Sequence, residues 1–391
     1  MLFIAGLFLL IVILGVLEFR KHQLTIRAIP NRIHVNGTRG KSSVTRLITG
    51  GLQGGGIKTL GKTTGTMPCY ITPQGKQVHI RRIGKANIIE QVAIARRAAS
   101  YGVQTFVVEC MAVLPAHQRM AEEQMIHSTI GVITNVRADH LDEMGPTLID
   151  IARSLSETIP RNGVCFTSEQ TFFHILQEVA GRRNTQLHLA SGETIPDSAM
   201  KGFTYLEHKD NVALALAVCK QMGVPEADAL RGMQGVIPDP GVLRIFTVTQ
   251  SDRRIEFVNA FAANDPDSYA VIWRLLKPHM TPGKRIVVIV NCRKDRIQRT
   301  ESLADLIARD TPADHFILVG EHTTVLEHRA IALGLPGSKL SNLPDATAES
   351  VFETVLSQTP AHSLVVGIGN IVGFGEEIVA YFVNRGREYA Y

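Results

Sequence analysis

The chain lacks the features of a secreted or nucleic-acid-binding protein. Its five cysteines are odd in number, stand far apart and include no C-x-x-C spacing, which favours neither a disulfide framework nor a zinc site and suits a reducing cytosol. Aromatic residues make up only 6% of the 391 residues, and the basic residues behind the net charge of +5 are scattered. We therefore predict no nucleic-acid partner, whereas a polyanionic ligand or a membrane surface fits the charge.

The N-terminal segment lacks the marks of a cleaved signal peptide. Residues 2–17 are an uninterrupted run of apolar residues and glycines, but no lysine or arginine precedes them and no A-x-A site follows. Arg20 and Lys21 come after the run, so the positive-inside tendency predicts a single-pass N-terminal anchor in the cell membrane, with the body of the protein in the cytoplasm. Because the run is shorter than the ~20 residues that usually cross a bilayer, a buried hydrophobic helix is the alternative.

A short apolar strand, a glycine-containing turn and a helix are predicted in succession over residues 33–43. Gly37 and Gly40 let the backbone bring N–H groups against an anion, and the positive end of the helix dipole points to the same place. Lys41 can reach a terminal phosphate, and the Ser42 hydroxyl can ligate a magnesium ion held against that phosphate. The pattern predicts a phosphate cradle formed by Asn36, Gly37, Thr38, Arg39, Gly40, Lys41, Ser42 and Ser43.

Polar side chains also follow two later buried runs. Glu109 ends one predicted strand, and Asp139 and His140 come shortly after another. In open parallel sheets ligands bind beyond the carboxyl ends of the strands, so we expect these side chains to converge with Lys41 and Ser42. Taken alone, His140 is more typical of a capping or packing residue. Together, the hydroxyl, carboxylate and imidazole of Ser42, Glu109 and His140 predict a magnesium site in which the histidine is the atypical ligand.

Several later segments have simpler predictions. Residues 61–66 read as a polar loop, which either lines the far side of the phosphate pocket or is only a turn. Residues 163–167, 186–190 and 203–206 read as strands, the later ones antiparallel at a sheet edge. Asn211 opens a helical segment, where it is either the N-cap or a nucleotide contact. The P-D-P-G turn at residues 238–241 is the predicted domain boundary.

Beyond that boundary the pattern of buried strands and helices begins again. Strands are predicted over residues 285–291, 315–320 and 363–367, which indicates a second, smaller α/β domain. A charged loop over residues 291–296 follows the first of them and lies where parallel sheets bind ligands.

Together these motifs resemble the Mur ligase superfamily, which includes the peptidoglycan amino-acid ligases and the folylpolyglutamate synthetases. The sequence N-G-T-R-G-K-S over residues 36–42 is similar to that family's G-T-x-G-K-[ST], and T-N-V-R-A-D-H-L-D over residues 134–142 resembles its T-N-[IV]-x-x-D-H-L-D. The resemblance implies that Glu109 and His140 hold the metal ion and that Asn211 meets the nucleotide.

The second half of the chain carries weaker matches to the superfamily. Arg244 resembles the hinge arginine that reaches the γ-phosphate, and residues 291–296 resemble the third-domain G-G-D-R-D loop. This likeness implies a substrate-binding role for Arg293, Asp295 and Arg296.

A narrower resemblance, to the ligase subunit of poly-γ-glutamate synthases (the CapB/PgsB family), covers essentially the whole chain. It implies an N-terminal membrane anchor over residues 1–22, a P-loop ATPase domain with a mainly parallel sheet over residues 23–240, and a smaller Rossmann-like α/β ligase domain over residues 241–391. Besides the apolar N-terminus, it rests on E-C-M-A (109–112), D-H-L-D-E-M-G-P-T (139–147), P-D-P-G (238–241), N-A-F-A-A-N-D (259–265), N-C-R (291–293) and G-I-G-N (367–370).

This resemblance implies an ATP-dependent, ADP-forming amide ligase that uses ATP and Mg²⁺. The enzyme would activate a glutamate or polyglutamate carboxylate as an acyl phosphate and join glutamates through γ-amide bonds, with Lys41, Arg244 and His140 as catalytic residues. The implied partners are glutamate, poly-γ-glutamate, the membrane and other membrane subunits of a synthase and export complex. The product is either a capsule or a released polymer, and a homo-oligomer stays open.

One departure from the superfamily concerns a lysine, carbamylated in the active enzyme, that many Mur ligases carry after the metal histidine. Leu155 stands at that position, fifteen residues after His140, and no lysine occurs between Lys85 and Lys201. A neighbouring subunit or another side chain would have to supply the charge.

Two other functions are compatible with the sequence. One is a folylpolyglutamate synthetase-like ligase acting on a soluble pterin, against which the predicted anchor argues. The other is a membrane-tethered nucleotide-binding regulator that performs no ligation. Glutamate-stimulated hydrolysis of ATP to ADP and phosphate distinguishes a ligase from a regulator.

Overall fold

The computed structural model describes residues 2–65, 68–82, 86–203, 205, 207–238, 243–250, 252–261, 266–293 and 297–388. The chain divides into two units, one of Met1–Gly202 with His208–Asp239 and the other of Phe203–Glu207 with Pro240–Tyr391. Most of the predicted turn at residues 238–241 lies outside the described residues. The division into 1–22, 23–240 and 241–391 stays a prediction.

The first unit is built on one sheet with helices on its faces. Its described strands lie in the order β4-β3-β2-β5-β1-β6-β7-β8. The strands are β1 (Asn31–Asn36), β2 (Thr59–Thr63), β3 (Cys69–Ile71), β4 (Gln77–His79), β5 (Thr105–Glu109), β6 (Ile130–Ile133), β7 (Val164–Thr167) and β8 (Gln186–Leu189). The helices are α1 (Leu2–Arg27), α2 (Lys41–Gly54), α3 (Glu90–Ser100), α4 (Pro115–Met120), α5 (Leu141–Met144), α6 (Leu148–Leu155), α7 (Phe173–Arg182), α8 (Asp197–Met200), α9 (Lys209–Gln221) and α10 (Glu226–Gln234). A π-helical turn covers Ala121–Ile126, and 3₁₀ turns cover Ser156–Thr158 and Gly192–Thr194.

Strand β1 is the centre of this sheet, because β5 and β6 both pair with it in parallel. Val35 is aligned with Glu109 on one side and with Val132 on the other. Ile33 and Val35 are fully buried, as expected for a parallel strand covered on both faces. The carboxyl ends of the three strands therefore meet at one edge of the sheet.

The prediction of a polar loop over residues 61–66 is wrong for its first half, which belongs to strand β2. The whole of β2 is buried, including Lys62. A Cβ atom on Gly61 would lie 2.2 Å from Thr49 Oγ1, so the glycine lets helix α2 pack closely on the strand. Small and hydroxyl-bearing residues here reflect close packing and not a turn.

The predicted antiparallel edge is also wrong. Strand β8 pairs in parallel with β7, because helix α7 lies between them in the chain and provides a crossover connection. Phe203 and Tyr205 belong to no strand, and the other two residues of the predicted strand lie outside the described residues. The antiparallel strands are β3 and β4, at the opposite edge.

Helix α1 continues past the apolar run to Arg27, and its part from Phe3 onward is long and apolar enough to cross a membrane. None of its apolar window is buried, which contradicts the alternative of a helix buried inside this chain. Its last turns instead pack on the first unit. Ile26 is fully buried, His22 Nε2 lies 2.8 Å from the carbonyl oxygen of Met125, and Glu18 forms an ion pair with a neighbouring arginine of α3.

The second unit is a smaller α/β structure with core residues on both faces of its sheet. The described strands lie in the order β13-β12-β11-β14-β10-β9-β15, in which β9 and β15 are antiparallel to their neighbours. They are β9 (Arg244–Gln250), β10 (Arg253–Asn259), β11 (Arg285–Cys292), β12 (His315–Gly320), β13 (Leu340–Leu343), β14 (His362–Gly369) and β15 (Gly386–Glu388). The helices are α11 (Pro266–Leu276), α12 (Ile297–Arg309), α13 (Thr323–Ala332), α14 (Ala348–Gln358) and α15 (Phe374–Val383), with 3₁₀ turns at Lys277–His279 and Gly337–Lys339. The predicted α/β class is confirmed.

A largely buried ion cluster in this unit gives a prediction about acid stability. Glu256 lies 2.8 Å from His279 Nδ1 and 2.9 Å from Lys284 Nζ. Burial alone would raise the pKa of Glu256, but these two partners lower it from 4.5 to about 2. Because the folded pKa is depressed, the cluster stabilises the protein above pH 4.5, and this contribution is lost as the pH falls toward about 2.

We therefore expect Glu256→Gln to lower the thermal unfolding temperature at neutral pH and to flatten its fall between pH 4.5 and about 2. Circular dichroism of both proteins in detergent across that range measures the effect. Parallel pH curves for the two proteins would show that the cluster does not govern acid stability.

Candidate active site

The turn between β1 and α2, residues 37–40, is the predicted phosphate turn, and two glycines shape it. Gly37 has a φ of 132° and Gly40 a φ of 80°, both in the region that favours glycine. A Cβ atom on Gly37 would lie 2.0 Å from Thr134 Oγ1, so the turn packs directly against the chain after β6. Gly40 occupies the N-cap of α2, and among the described residues no side chain caps this helix. The first N–H groups of α2 are thus oriented to bind an anion.

Lys41 folds back over this turn. Its Nζ atom donates hydrogen bonds to the carbonyl oxygens of Gly37, at 2.6 Å, and Thr38, at 3.2 Å. The ammonium group therefore lies at the mouth of the turn. Phosphate oxygens bound there would meet both the ammonium and the N–H groups of α2.

Thr134 and Asn135 hold the turn in place, a role that the sequence did not reveal. Asn135 Oδ1 accepts hydrogen bonds from Thr38 Oγ1, at 2.8 Å, and from the backbone N–H of Arg39, at 3.1 Å. Asn135 Nδ2 and Thr134 Oγ1 both donate to the Arg39 carbonyl, at 3.1 and 2.6 Å. The T-N dipeptide after β6 is the sequence signal of this clamp.

Gly37 gives a direct test of this close packing. We expect Gly37→Ala to weaken nucleotide binding by at least about tenfold, because the added methyl group cannot fit against Thr134 and alanine disfavours the φ of 132°. Isothermal titration with ATP measures the loss. Gly56→Ala is the matched control, since Gly56 has a φ of 79° and nothing within 4 Å of its Cβ position. Equal ATP affinity in the two variants would contradict the proposed geometry.

The structure brings Ser42 and Glu109 together at the carboxyl end of β5. Ser42 Oγ donates to Glu109 Oε2 at 2.8 Å, and the backbone N–H of Thr64 donates to the same oxygen at 2.6 Å. Glu109 is 3% exposed. This hydroxyl and carboxylate are hard oxygen donors next to the phosphate turn, which suits a Mg²⁺ ion that also binds phosphate oxygens and waters.

His140 lines the same cavity as Lys41, a space of about 180 Å³. Its Nδ1 lies 2.8 Å from Glu143 Oε2, its Nε2 lies 4.0 Å from Asp139 Oδ1, and 48% of the side chain is exposed. Among the described residues, no group of three or more His, Cys, Asp or Glu side chains is arranged to hold a metal ion. The metal role of His140 stays a prediction.

Asn36 and Asn211 support the turn from two sides. Asn36 Nδ2 donates to Gln118 Oε1 at 2.7 Å and to Thr158 Oγ1 at 3.1 Å, and Asn36 is 2% exposed. His208 caps helix α9, so the N-cap alternative for Asn211 is wrong. The Asn211 amide instead faces Gly40, where a Cβ atom would lie 2.8 Å from Asn211 Oδ1. Its nucleotide contact stays a prediction.

A largely buried charge network, also missed from the sequence, reaches the cavity through Arg82. Lys62 Nζ lies 2.9 Å from Glu90 Oε1, and Arg82 donates to both oxygens of Glu90, at 2.6 and 3.1 Å. Burial lowers the pKa of Lys62, and the negative charges of Glu90 and Glu109 partly offset this decrease. Arg82 also lines the cavity and adds positive charge there.

A buried histidine of the sheet also pairs with a glutamate. His34 Nδ1 lies 2.8 Å from Glu122 Oε2, and His34 is completely buried on β1. Burial alone would lower the pKa of His34, but Cys110 and Glu122 raise it to about 10.

Leu155 occupies the position of the superfamily's carbamylated lysine, and it is fully buried. It packs with Val136, Met144 and Ile151 in an apolar cluster. An ionised side chain there would be buried without a partner in this cluster, which accounts for leucine.

The remaining predicted residues belong to the second unit. Arg244 begins β9 and is aligned with Asn259 of β10, and Arg293 follows β11. Asp295 and Arg296 lie outside the described residues. The roles of all three predicted substrate residues, and of Arg244 and Ser43 in binding nucleotide, stay predictions.

Comparison with known proteins identifies the family of the whole chain. A family model described as the Mur ligase middle domain matches residues 35–217, and one described as the poly-gamma-glutamate synthase CapB C-terminal domain matches residues 245–385. A protein of Bacillus subtilis (strain 168) named PGA synthase CapB is 38% identical over 372 residues, which cover 94% of this chain and 94% of that protein. The chain belongs to the poly-gamma-glutamate synthase CapB family. The predicted family is confirmed.

Two further comparisons agree with this family and its fold. The capsule biosynthesis protein CapB of Bacillus anthracis is 37% identical over 97% of this chain and 82% of its own length. The bifunctional folylpolyglutamate synthase/dihydrofolate synthase of Yersinia pestis c092, solved with AMPPNP and a Mn ion, has a TM-score of 0.65 over 93% of this chain and 92% of that one. At 15% identity this likeness concerns the fold, and it confirms the predicted Mur ligase-like architecture.

Proposed function

We propose that the chain is the ATP-dependent amide ligase of a poly-γ-glutamate synthase, which joins glutamates through γ-amide bonds and releases ADP and phosphate. The observation that carries the proposal is the contact of Ser42 with Glu109 beside the phosphate turn, in a chain that matches a PGA synthase over 94% of its length. The second unit, which matches the CapB C-terminal domain, accounts for the choice of a polyglutamate ligase over other ligases.

The chemistry requires activation of a carboxylate, because a carboxylate is a poor electrophile for an amine. The carboxylate oxygen attacks the γ-phosphorus of ATP, the bond to the β-phosphate oxygen breaks, and an acyl phosphate and ADP result. The amine of a second glutamate then attacks the carbonyl carbon, phosphate leaves with the bonding electrons, and the nitrogen loses a proton. Most of the catalysis is positioning and charge neutralisation, which the phosphate turn supplies.

Lys41 and the N–H groups at the start of α2 would bind the phosphates of ATP. The Thr134 and Asn135 clamp keeps these donors fixed before ATP arrives, so little reorganisation accompanies phosphoryl transfer. Asn211, which faces Gly40, would contact the nucleotide. In the second unit, Arg244 would reach the γ-phosphate.

Ser42, Glu109 and His140 would hold Mg²⁺. Because Mg²⁺ usually binds one or two carboxylates plus phosphate oxygens and waters, the Ser42 and Glu109 pair fits it without a cage of protein ligands. The bound ion would neutralise charge on the β- and γ-phosphates. Arg293, Asp295 and Arg296 would guide the anionic substrate.

Helix α1 would anchor the protein in the cell membrane with its body in the cytoplasm. It is long and apolar enough to cross a bilayer, and Arg20 and Lys21 follow its apolar run. Other membrane subunits of a synthase and export complex would receive the polymer there. The polymer is then either retained as a capsule or released.

Glutamate-dependent ATP hydrolysis in membranes tests this function. We expect membranes that contain this chain and its partner subunits to hydrolyse ATP to ADP and phosphate faster when glutamate is added, and to form γ-linked polymer. A matched membrane preparation with Lys41→Ala should do neither. Slow hydrolysis that ignores glutamate would indicate a nucleotide-binding regulator, and binding of a pterin substrate would indicate a folylpolyglutamate synthetase-like ligase.

A further inference from the structure

A second cavity, of about 600 Å³, opens in the first unit between α4 with its π-helical turn, α6 and α7. No residue of the phosphate turn lines it. Three glutamates and five arginines do, so the cavity carries an excess of positive charge. The arginines are Arg119, Arg153, Arg161, Arg182 and Arg183.

The glutamates of this arginine cavity are already paired with arginines. Glu157 accepts hydrogen bonds from both Nε and Nη2 of Arg119, at 3.0 and 2.5 Å, and from Arg183 Nη2 at 2.8 Å. Glu123 accepts from Arg161 at 2.7 Å. An added anion would therefore bind guanidinium groups that glutamate partners already hold in place.

The arginines differ in how firmly they are held. Arg183 is 10% exposed and donates to the carbonyl oxygens of Glu157 and Ile159, at 3.0 and 2.6 Å, which fixes it in the wall. Arg161 and Arg182 are 63% and 68% exposed. Arg153 is exposed and, within the described part of the chain, forms no ion pair. The cavity thus combines a buried cationic wall with an exposed cationic rim.

The cavity also has an apolar part, formed by Ile175 and Val179 of helix α7. A carboxylate-rich chain with methylene groups between its amides matches this lining. Its carboxylates can bind the guanidinium groups in pairs of hydrogen bonds, and its methylenes can contact the apolar side chains. A compact inorganic anion would leave the apolar part unused.

The cavity lies near the C-terminal end of helix α1. Glu123 lines the cavity, and the next two residues contact the C-terminal turns of helix α1. The carbonyl oxygens of Gln124 and Met125 lie 2.8 Å from the side chains of Gln23 and His22. The cavity therefore lies beside the segment that leads to the proposed membrane anchor. A polymer held there would be close to membrane subunits.

We propose that the arginine cavity binds a stretch of the growing polyglutamate chain, at a site separate from the cavity that Lys41 and His140 line. This proposal rests on the proposed function. Binding there keeps the product on the enzyme between successive additions of glutamate, so the cavity sets the length of the polymer and does not take part in the chemical step.

Charge reversal of Arg153 tests the proposal. We expect full-length Arg153→Glu protein in detergent to bind fluorescent poly-γ-glutamate at least about tenfold more weakly, because a charged hydrogen bond is replaced by repulsion. The difference should shrink as salt is added. Arg309→Glu, an exposed arginine at the end of α12 in the second unit, is the matched control and should bind as the parent does.

Activity provides a second readout. In membranes, Arg153→Glu should hydrolyse ATP at the parent rate with monomeric glutamate but make shorter polymer. Equal polymer affinity for Arg153→Glu and Arg309→Glu would overturn the proposal. A defect of Arg153→Glu that is confined to flotation with phosphatidylglycerol vesicles would also overturn it, because the cavity would then bind lipid. An equal loss of binding to single-stranded DNA of the same charge would overturn it as well, because the cavity would then be a nonspecific basic surface.

The polymer-binding measurement needs no ligase activity. Its outcome therefore distinguishes a failure of the cavity proposal from a failure of the proposed ligase function. Arg153-dependent binding of polymer in a protein without glutamate-stimulated ATP hydrolysis would support the cavity and contradict the ligase. Normal glutamate-stimulated hydrolysis with unchanged polymer binding would do the opposite.

Discussion

Replacing Lys41 by alanine is expected to reduce glutamate-stimulated ATP hydrolysis by at least about 10²-fold. The Lys41 ammonium is the cation that bridges the Gly37 and Thr38 carbonyls at the mouth of the phosphate turn. Once it is removed, the negative charge that shifts between the phosphates during transfer loses a protein cation at the mouth of the turn. The half-saturating ATP concentration should rise as well, because ground-state phosphates contact the same group.

The fold should survive this change, since Lys41 is only half-buried and Thr134 and Asn135 still hold the turn. Thermal unfolding by circular dichroism checks this point. Lys58→Ala removes an exposed lysine from the same unit and serves as the control for lost charge. Hydrolysis by Lys41→Ala at the rate of Lys58→Ala would disprove the assignment of the phosphate site.

Glu109→Gln is expected to raise the Mg²⁺ concentration needed for half-maximal hydrolysis by about 10²-fold or more, beyond the loss typical of an outer partner of a metal ligand. Glutamine keeps the shape of the side chain and an acceptor oxygen for Ser42 and for the Thr64 N–H, so the turn should stay intact. The change removes the negative charge that Glu109 would place next to the proposed Mg²⁺ ion.

Titration of hydrolysis with Mg²⁺ at saturating ATP measures this effect, and chelation of the metal should abolish hydrolysis in the parent protein. Glu226→Gln, at the exposed start of α10, is the control. If Glu109→Gln and Glu226→Gln show the same Mg²⁺ dependence, Glu109 serves the hydrogen bonds of the turn and is not a metal ligand.

The central parallel strands of the first unit could be predicted because buried parallel strands have nearly continuous apolar sequences. Strands β1, β5 and β6 stand out in this way, and the polar residues after them mark the ligand-binding edge. Strand β2 could not be recognised, because its glycine and hydroxyl side chains serve close packing of α2 and resemble a turn. Local composition does not distinguish these two causes.

The site was predictable where its side chains stand at the ends of recognisable strands. Ser42 follows β1 and Glu109 ends β5, and because these strands pair in parallel, both side chains lie at one edge of the sheet. The charges of the Lys62 network and of the arginine cavity are not marked by a strand end or by any other local pattern. The cap of α9 by His208 was missed for a different reason, because histidine is rarely read as a cap.

Helix α1 and strand β1 are separated by only residues 28–30, and the last turns of α1 are packed against the first unit. If the apolar run lies in a bilayer, the unit cannot swing away from it on a flexible tether. The ten residues from Glu18 to Arg27 extend about 15 Å from the end of the apolar run, and the unit packs along them from Glu18 onward. Encounters with the proposed membrane subunits would then become a search in two dimensions with a fixed orientation, which raises the effective concentration of the partners without any new contact.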